Sequence, residues 1–206
     1  MIHEYRTYTL HPGKLEDYLQ LAETKVVPIR QDRYGRLLGF WYSEFGTLNQ
    51  VHHIWEYASL DQRQVARKEL CAREDWMNDF ISGAWPTMQI QMARFMTPCI
   101  AYSTPAARHA LYEMRTYRTV VGRFSQVAGA VAERQIAQGA TRVGLWLSEV
   151  PEPNEVCELL AYPSFEDRLA DASQAPNQRG WLSKHASDLM RVSSTLLLPI
   201  GISPVQ

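Results

Sequence analysis

The 206-residue sequence has few cysteines, no excess of charge of either sign and no long apolar run. Its three cysteines form no CxxC pair, which excludes a zinc knuckle and argues against a disulfide framework. Basic residues number 21 and acidic residues 22, so the net charge of −1 excludes a charge-driven nucleic-acid binder. The longest apolar run, 196–202, is too short to cross a bilayer, so we expect no membrane span.

Targeting signals and the common catalytic motifs are absent from the sequence as well. The first ten residues, MIHEYRTYTL, match neither a secretory signal nor a transit peptide, so we expect a cytoplasmic protein. No Walker A, GxGxxG, HExxH or GxSxG motif is present, and no His/Cys cluster has the spacing of metal ligands. The sequence therefore predicts neither a metal site nor a bound cofactor.

Aromatic residues, in contrast, are abundant, with six Trp, ten Tyr and six Phe. Aromatic side chains supply bulk for a large core, and they also form the walls of small-molecule pockets. Hydrophobic residues make up 46% of the chain and charged residues 21%, which are the proportions of a globular protein rather than of a disordered one.

The sequence contains an internal duplication. EYRTYTLHPG at 4–13 recurs as EMRTYRTVVG at 113–122, and LGFWYSE at 38–44 recurs as VGLWLSE at 143–149. The offset between matching residues falls from 109 to 105 while their order is kept, as expected of a local deletion after a tandem duplication.

The two copies set the expected domain boundaries. We predict a first repeat at 1–99 and a second, more diverged repeat at 109–206. The Pro/Ala/Ser-rich stretch between them, 100–108, is the predicted linker.

Within the first repeat, the pattern of apolar residues alternates between strand and helix. Alternation at 2–10 predicts a strand, and helical spacing from Leu15 to Val26 predicts a helix that Pro28 should end or kink. Ser59 is the expected N-cap of a second helix. The remaining expected elements are hairpin strands at 36–44 and 49–57, that second helix from about 60 through Trp76, Met77 and Phe80, and a last strand near 87–97.

Each repeat is therefore predicted to be a βαββαβ unit, the ferredoxin-like arrangement, and the fold class is α+β. Helices would cover one face of each four-stranded sheet, and the opposite face must also be buried. The two open faces can pack on each other in an α/β-barrel-like body, or each can pack on its counterpart in a second chain. In both cases the face opposite the helices forms an interior where a ligand could bind.

Alternation along the strands places polar and aromatic side chains on that face. Glu4, Arg6 and Tyr8 share one face of the first strand, and His53 and Trp55 share one face of the third. On the second strand, Trp41 shares a face with Gly39, whose missing side chain would leave room beside the indole. The candidate ligand-binding residues are Arg6, Tyr8, Trp41, Trp55, Glu4 and Asn49, and the candidate catalytic residue is His53.

A structural role remains open for each of these residues. Glu4 and Arg6 can form an ion pair that neutralises itself, or Arg6 can bind an anionic ligand. His53 can be a hydrogen-bonded core residue, or it can transfer protons, because its ordinary pKa lies near neutrality. The tryptophans can simply fill the core, and Asn49 has the character of a turn residue.

The first repeat contains YRTYTLHPGK at 5–14 and LGFWYSEFGTLNQVHHIWEY at 38–57. These two blocks resemble the NIPSNAP family. The resemblance implies the fold of the dimeric α/β-barrel superfamily, whose members include cofactor-free monooxygenases, muconolactone-type isomerases and some haem enzymes, and it implies a homodimer. The second repeat lacks the imidazole and one indole of the family pattern, so any chemistry that uses them belongs to the first repeat. The matching residues are Arg6, Tyr8, Pro12, Gly13 and Lys14, then Gly39, Trp41, Glu44, Gly46, Leu48, Asn49, Gln50, His53, Trp55 and Tyr57.

These observations predict a small-molecule site in the interior of the first repeat. The ligand would be partly aromatic or anionic, and the chemistry would be that of a cofactor-independent oxygenase or isomerase. The alternative is a non-catalytic binding or assembly module whose sheets mediate dimerisation, and a third hypothesis is haem binding through His53. An open cavity reaching His53, with Arg6 unpaired, would favour the enzyme, whereas a closed interior with the Glu4–Arg6 and Glu113–Arg115 pairs both formed would argue against it.

Overall fold

The computed structural model of the chain describes residues 1–106, 108–173 and 179–205. The predicted linker and second repeat therefore include positions 107, 174–178 and 206, which lie outside the described residues. Contacts divide the chain into two compact units, Met1–Arg94 with Pro199–Val205 and Phe95–Leu198.

The first unit has the predicted βαββαβ order, with strands arranged β4-β1-β3-β2. Its second helical region is interrupted, so a π-helix and a short α-helix separate α2 from β4. The elements are β1 Ile2–Leu10, α1 Leu15–Arg30, β2 Arg36–Ser43, β3 Gln50–Tyr57, α2 Leu60–Cys71, the π-helix Trp76–Ile81, α3 Ser82–Ala84 and β4 Met88–Pro98.

The second unit repeats this order, with strands arranged β8-β5-β7-β6. The βαββαβ prediction is therefore confirmed for both repeats. In the ranges that the structure describes, no helix is long and apolar enough to cross a membrane. The elements are β5 Leu111–Thr119, α4 Phe124–Glu133, β6 Thr141–Val150, β7 Glu155–Tyr162, α5 Phe165–Ser173, α6 Arg179–Lys184 and β8 Leu189–Pro199.

Helix α1 buries the predicted apolar stripe, which includes Tyr18, Ala22 and Val26. Of the two effects expected of Pro28, an end or a kink, the end is wrong, because α1 continues to Arg30. Proline removes only its own N–H from the helical ladder, and the last turn is closed beyond it by the Gln31 N–H, which donates to the Val27 carbonyl at 2.9 Å.

Helix α2 begins as predicted, because the Gln62 N–H donates to the Ser59 hydroxyl at 3.1 Å. It does not continue through Trp76, however, and ends at Cys71. The chain is helical again from Glu74, and within this new segment the carboxylate of Asp75 accepts a hydrogen bond from the Trp76 N–H at 2.8 Å. The Arg73 guanidinium holds that carboxylate in place, with a 2.9 Å contact from Nε to Oδ1.

The register of the strands is the same in the two repeats. In the first, His53 on β3 lies opposite Arg6 on β1 and Phe40 on β2. In the second, Glu158 on β7 lies opposite Arg115 on β5 and Leu145 on β6. His53 and Glu158 are therefore structurally equivalent positions, as the sequence offset of 105 predicts.

Candidate functional site

The first unit contains a cavity of about 290 Å³ beneath its helices. This volume is at the lower end of the roughly 300–1,000 Å³ of ligand pockets, which suits one small molecule. Seven aromatic side chains and three guanidinium groups line it, and there is no carboxylate among the described lining residues. The aromatic residues are Tyr8, Tyr18, Phe40, Trp55, Trp76, Phe80 and Trp85, and the cationic ones are Arg6, Arg30 and Arg67.

Four of the seven residues predicted for the site line this cavity: Arg6, Tyr8, His53 and Trp55. They come together because β1 and β3 are neighbours in register. Each projects its side chain from the same face of the sheet, as strand alternation requires. That face is the one covered by the helices, because residues of α1 and α2 also line the cavity, so the expectation that the site lies on the face opposite the helices is wrong.

The other three predicted residues are absent from the described lining of the cavity. Glu4 pairs with Arg6 at 3.1 Å and is itself 1% exposed. Trp41 is fully buried, with its ring over Gly39, as the sequence suggested. Asn49 is a turn residue, with φ of 56° and a carbonyl that accepts from the Leu10 N–H at 2.8 Å.

Sequence reasoning missed two of the three cations in the lining. Arg30 lies four residues after Val26 in α1, so helical spacing places it on the buried face of that helix. Arg67 follows Ala66 in α2, and no comparable spacing pointed to it. The sequence did contain a signal for Arg30, because a charged residue on the buried face of a helix is rare and indicates a specific role.

His53 is held by its neighbours in a defined tautomer. The Trp55 indole N–H donates to its Nδ1 at 2.6 Å, and because an indole can only donate, this nitrogen must be the acceptor. Burial, together with the nearby Arg6 and Arg30 guanidinium groups, holds the pKa of His53 well below its ordinary value. The ring is therefore neutral at neutral pH and carries its proton on Nε2.

This arrangement makes His53 a hydrogen-bond donor toward the cavity. A base would need a free nitrogen lone pair, and the lone pair of Nδ1 already accepts from Trp55. The geometry therefore favours a binding role for His53, and its proton-transfer role stays a prediction.

Haem ligation through His53 does not fit the same hydrogen bond. Iron bound at Nε2 would require the ring proton to move to Nδ1, where it would face the Trp55 N–H, another donor. Within the part of the chain that the structure describes, no three His, Cys, Asp or Glu side chains are grouped to hold a metal ion.

Arg30 is buried without a carboxylate beside it. Its guanidinium lies 3.4 Å from the ring centroid of Trp55 and donates to the Tyr57 hydroxyl at 3.0 Å and to the Tyr34 carbonyl. Among the described residues, none forms an ion pair with it. Burial lowers the pKa of Arg30, because a guanidinium charge is less stable when it is shielded from water. The side chain nevertheless remains protonated at neutral pH.

Among the residues that the structure describes, Arg6 shares its carboxylate partner with a second arginine. Its Nη1 donates to the Glu4 carboxylate at 3.1 Å, and the same oxygen accepts from Arg63 at 2.6 Å. Of the two alternatives left open for Arg6, the ion pair with Glu4 is formed, and Arg6 lines the cavity as well. Among the described residues that line the first-repeat cavity or pair with its arginines, one carboxylate, Glu4, accompanies four guanidinium groups, Arg6, Arg30, Arg63 and Arg67.

In the second repeat the corresponding side chains neutralise one another. Arg115, the counterpart of Arg6, contacts Glu113 at 2.8 Å and Asp171 at 3.1 Å. Burial alone would raise the pKa of Glu113, but the hydrogen bond and charge of Arg115 lower it to about 2. Three carboxylates, Glu113, Glu158 and Asp171, are grouped here with four guanidinium groups, Arg115, Arg134, Arg142 and Arg168.

Comparison with known proteins places the chain in a family and a fold. A NIPSNAP family model matches residues 3–103 and 112–204. NipSnap homolog 3B of Mus musculus is 26% identical over 217 residues, which cover 99% of this chain and 85% of the relative. NipSnap homolog 3A of Homo sapiens is 24% identical over 216 residues, which cover 100% and 86%.

The solved structure of a proposed monooxygenase from Lactobacillus acidophilus NCFM matches 100% of this chain and 98% of its own, with a TM-score of 0.68 at 13% identity. That likeness shows the fold. It confirms the predicted class of two ferredoxin-like repeats of the dimeric α/β-barrel type. With the family match extending over both repeats, the predicted recognition is also confirmed, and the chain belongs to the NIPSNAP family.

Proposed function

We propose that the first repeat binds a small organic anion with a flat, unsaturated body. The observation that carries this proposal is the lining of the cavity, which combines three guanidinium groups and seven aromatic side chains with no carboxylate among its described residues. A buried cation is costly when it has no counter-charge, so an anionic ligand would supply what Arg30 lacks. The aromatic walls would contact the body of the ligand.

Arginine suits this role because its planar fork donates two parallel hydrogen bonds to a carboxylate. The volume of about 290 Å³ limits the ligand to roughly one or two fused rings. The cavity also supports ligand binding over the alternative of an assembly module, because in that alternative the same side chains pack as a closed core.

Support for binding is stronger than support for chemistry. Cofactor-independent oxygenation or isomerisation needs a group that takes a proton, and His53 is arranged as a donor. That activity stays a prediction, as do the homodimer and the cytoplasmic location. The shared fold with a proposed monooxygenase is a likeness of architecture, and function depends on the site.

The test is calorimetric titration with benzoate and 1-naphthoate beside their neutral amides, benzamide and 1-naphthamide. We expect each carboxylate to bind at least about tenfold more tightly than its amide, since hydrogen bonds to charged groups contribute about 1.5–3 kcal/mol. Arg30→Met and Arg67→Met should each weaken carboxylate binding about tenfold or more and change amide binding little.

Arg33→Gln is the matched control, because Arg33 lies just beyond the end of α1, close in sequence to Arg30, but is exposed and lies outside the described cavity lining. It should bind all four probes as the wild type does. Equal affinity for carboxylates and amides, or carboxylate binding that both cavity variants leave unchanged, would contradict the proposal.

A further inference from the structure

In the second repeat, a buried carboxylate of the chain itself, that of Glu158, lies among arginine and tyrosine donors. We propose that the anionic group is a carboxylate that occupies, in the first repeat, the place that the Glu158 side chain takes in the second, between Arg30 and Tyr8. This inference rests on the proposed function and adds to it the position and the chemical class of the anionic group.

Glu158 is bound by donors from three elements of its repeat. Its carboxylate accepts from Arg134 Nη2 at 3.0 and 2.9 Å, from Arg142 Nε at 2.8 Å and from the Tyr117 hydroxyl at 2.9 Å. Glu158 is fully buried, so these bonds lie in a region shielded from water, where charge-assisted hydrogen bonds are strong. The second repeat is thus built around a carboxylate at this point.

One of those donors recurs by sequence in the first repeat, and a second has an analogue there. Tyr8 is the counterpart of Tyr117 on the first strand. Arg30 resembles Arg134 by location rather than by sequence offset: it is the last residue of the 16-residue α1, whereas Arg134 directly follows the 10-residue α4, and both side chains are buried. Both Tyr8 and Arg30 line the cavity. The third donor is lost, because Leu37 stands at the position of Arg142.

The acceptor, by contrast, is missing from the first repeat. His53 stands at the position of Glu158 and Trp55 at that of Leu160, which lies opposite Glu113 as Trp55 lies opposite Glu4. Instead of meeting a carboxylate, Arg30 rests on the face of the Trp55 ring, 3.4 Å from its centroid. A tyrosine and an arginine remain there without that carboxylate, so a carboxylate from outside the chain completes the arrangement.

The aromatic side chains of the lining indicate what the rest of the ligand should look like. Tyr8 lies edge-on to His53, with ring centroids 5.0 Å apart, at one part of the cavity. Trp76 and Phe80 of the π-helix, with centroids 4.6 Å apart, line it as well. A flat monocarboxylate places its two oxygens at Arg30 and Tyr8 and its apolar body against these rings.

The first experiment gives the first repeat a carboxylate of its own. In His53→Glu the new side chain occupies the proposed subsite and pairs with Arg30, so binding of 1-naphthoate should weaken about thirtyfold or more. His53→Gln has the same shape without the charge and should weaken it less than about fivefold. A wild-type affinity in His53→Glu, or equal losses in the two variants, would overturn the inference.

A second pair of variants avoids placing a new charge in the cavity. Tyr8→Phe removes the hydroxyl whose counterpart donates to Glu158, whereas Tyr18→Phe removes a hydroxyl from a position that is Val127 in the second repeat. Binding of 1-naphthoate should weaken about fivefold or more in Tyr8→Phe and clearly less in Tyr18→Phe, with 1-naphthamide affected little by either. A larger loss in Tyr18→Phe would place the carboxylate elsewhere.

Binding by the wild-type protein distinguishes failure of the proposed function from failure of the proposed carboxylate position. Wild-type protein that binds no probe carboxylate refutes the proposed function itself. Wild-type binding with the wrong order among the variants refutes only the position of the carboxylate. Weaker binding of 1-naphthalenesulfonate and 1-naphthyl phosphate than of 1-naphthoate is the result expected for a carboxylate subsite, and tighter binding of either would contradict that class.

Discussion

At Gly39, hydrogen is the largest side chain that β2 can carry. A Cβ atom there would lie 2.0 Å from Cη2 of Trp41, and the second repeat has the same arrangement at Gly144, where the distance to Trp146 is 2.2 Å. Both indoles are buried, so neither can move without disturbing the core. We expect Gly39→Ala to lower the free energy of unfolding by about 3 kcal/mol, measured by urea denaturation.

Gly129 provides the matched control for that substitution. It lies in α4 with no atom within 4 Å of an added Cβ, and it is exposed. Gly129→Ala should stabilise the protein by about 0.5–1 kcal/mol, because alanine is the better helix former. Gly39→Ala with wild-type stability would show that Trp41 adapts, against the packing described here.

The residues of the candidate site show which of its features could be predicted from the sequence and which could not. Alternation along one strand correctly grouped Arg6 with Tyr8, and His53 with Trp55. Alternation alone could not predict which face of β2 meets the cavity. The answer depends on the register between β2 and β3, in which Phe40 lies opposite His53. Phe40 therefore lines the cavity, and Trp41 packs on the other face.

Among the elements, α2 depends on the cap at its first turn. The Ser59 hydroxyl accepts from the Gln62 N–H, and Ser164 accepts from the Asp167 N–H in the same way at 3.1 Å in the second repeat. Ser59→Ala should cost about 1 kcal/mol of unfolding free energy in urea denaturation, because that N–H loses its partner. Ser59→Thr keeps the hydroxyl and should stay within about 0.5 kcal/mol of the wild type; equal losses in the two variants would assign the effect to packing.

The π-helix is the element that hydrophobic periodicity could not predict. A helix with 3.6 residues per turn was expected to carry Trp76, Met77 and Phe80 on the face continued from α2. These three residues all line the cavity, and hydrogen bonding from i to i+5, which widens the turn, accompanies a fourth lining residue, Ile81. A single sequence shows no pattern that separates this wider turn from an ordinary α-helical one.

For the whole molecule, the two repeats satisfy their buried charges in different ways. The second forms an internal network in which Glu158 and Asp171 balance the arginines. The first replaces that network with His53 and Trp55, which leaves Arg30 against an aromatic face. The sequence already showed that His53 and Trp55 do not recur. The consequence for charge was hidden, because it depends on which arginines the fold brings to them.

The buried histidines make the stability of the whole chain sensitive to acid. Burial lowers the pKa of His3 and of His53, and it lowers that of His52 to about 4. An unfolded chain takes up these protons below about pH 6.5 while the folded chain does not, so protonation favours unfolding as the pH falls. Stability should therefore be nearly constant above pH 7 and decline below pH 6.5, with His52 continuing to contribute until about pH 4.

Urea denaturation at pH 7.5 and pH 5.0 measures this decline. His52 alone should account for about 2 kcal/mol of it, because its pKa differs by roughly 2.5 units between the folded and unfolded states. His52→Gln removes that titration, so its loss between the two pH values should be about 2 kcal/mol smaller than the wild-type loss, whatever its stability at pH 7.5. Equal losses in the two proteins, or greater stability of the wild type at pH 5.0, would contradict this expectation. Either result would mean that His52 takes up its proton in the folded state as well, so that burial beside the Tyr5 hydroxyl, 2.8 Å from its Nδ1, does not keep the imidazole neutral.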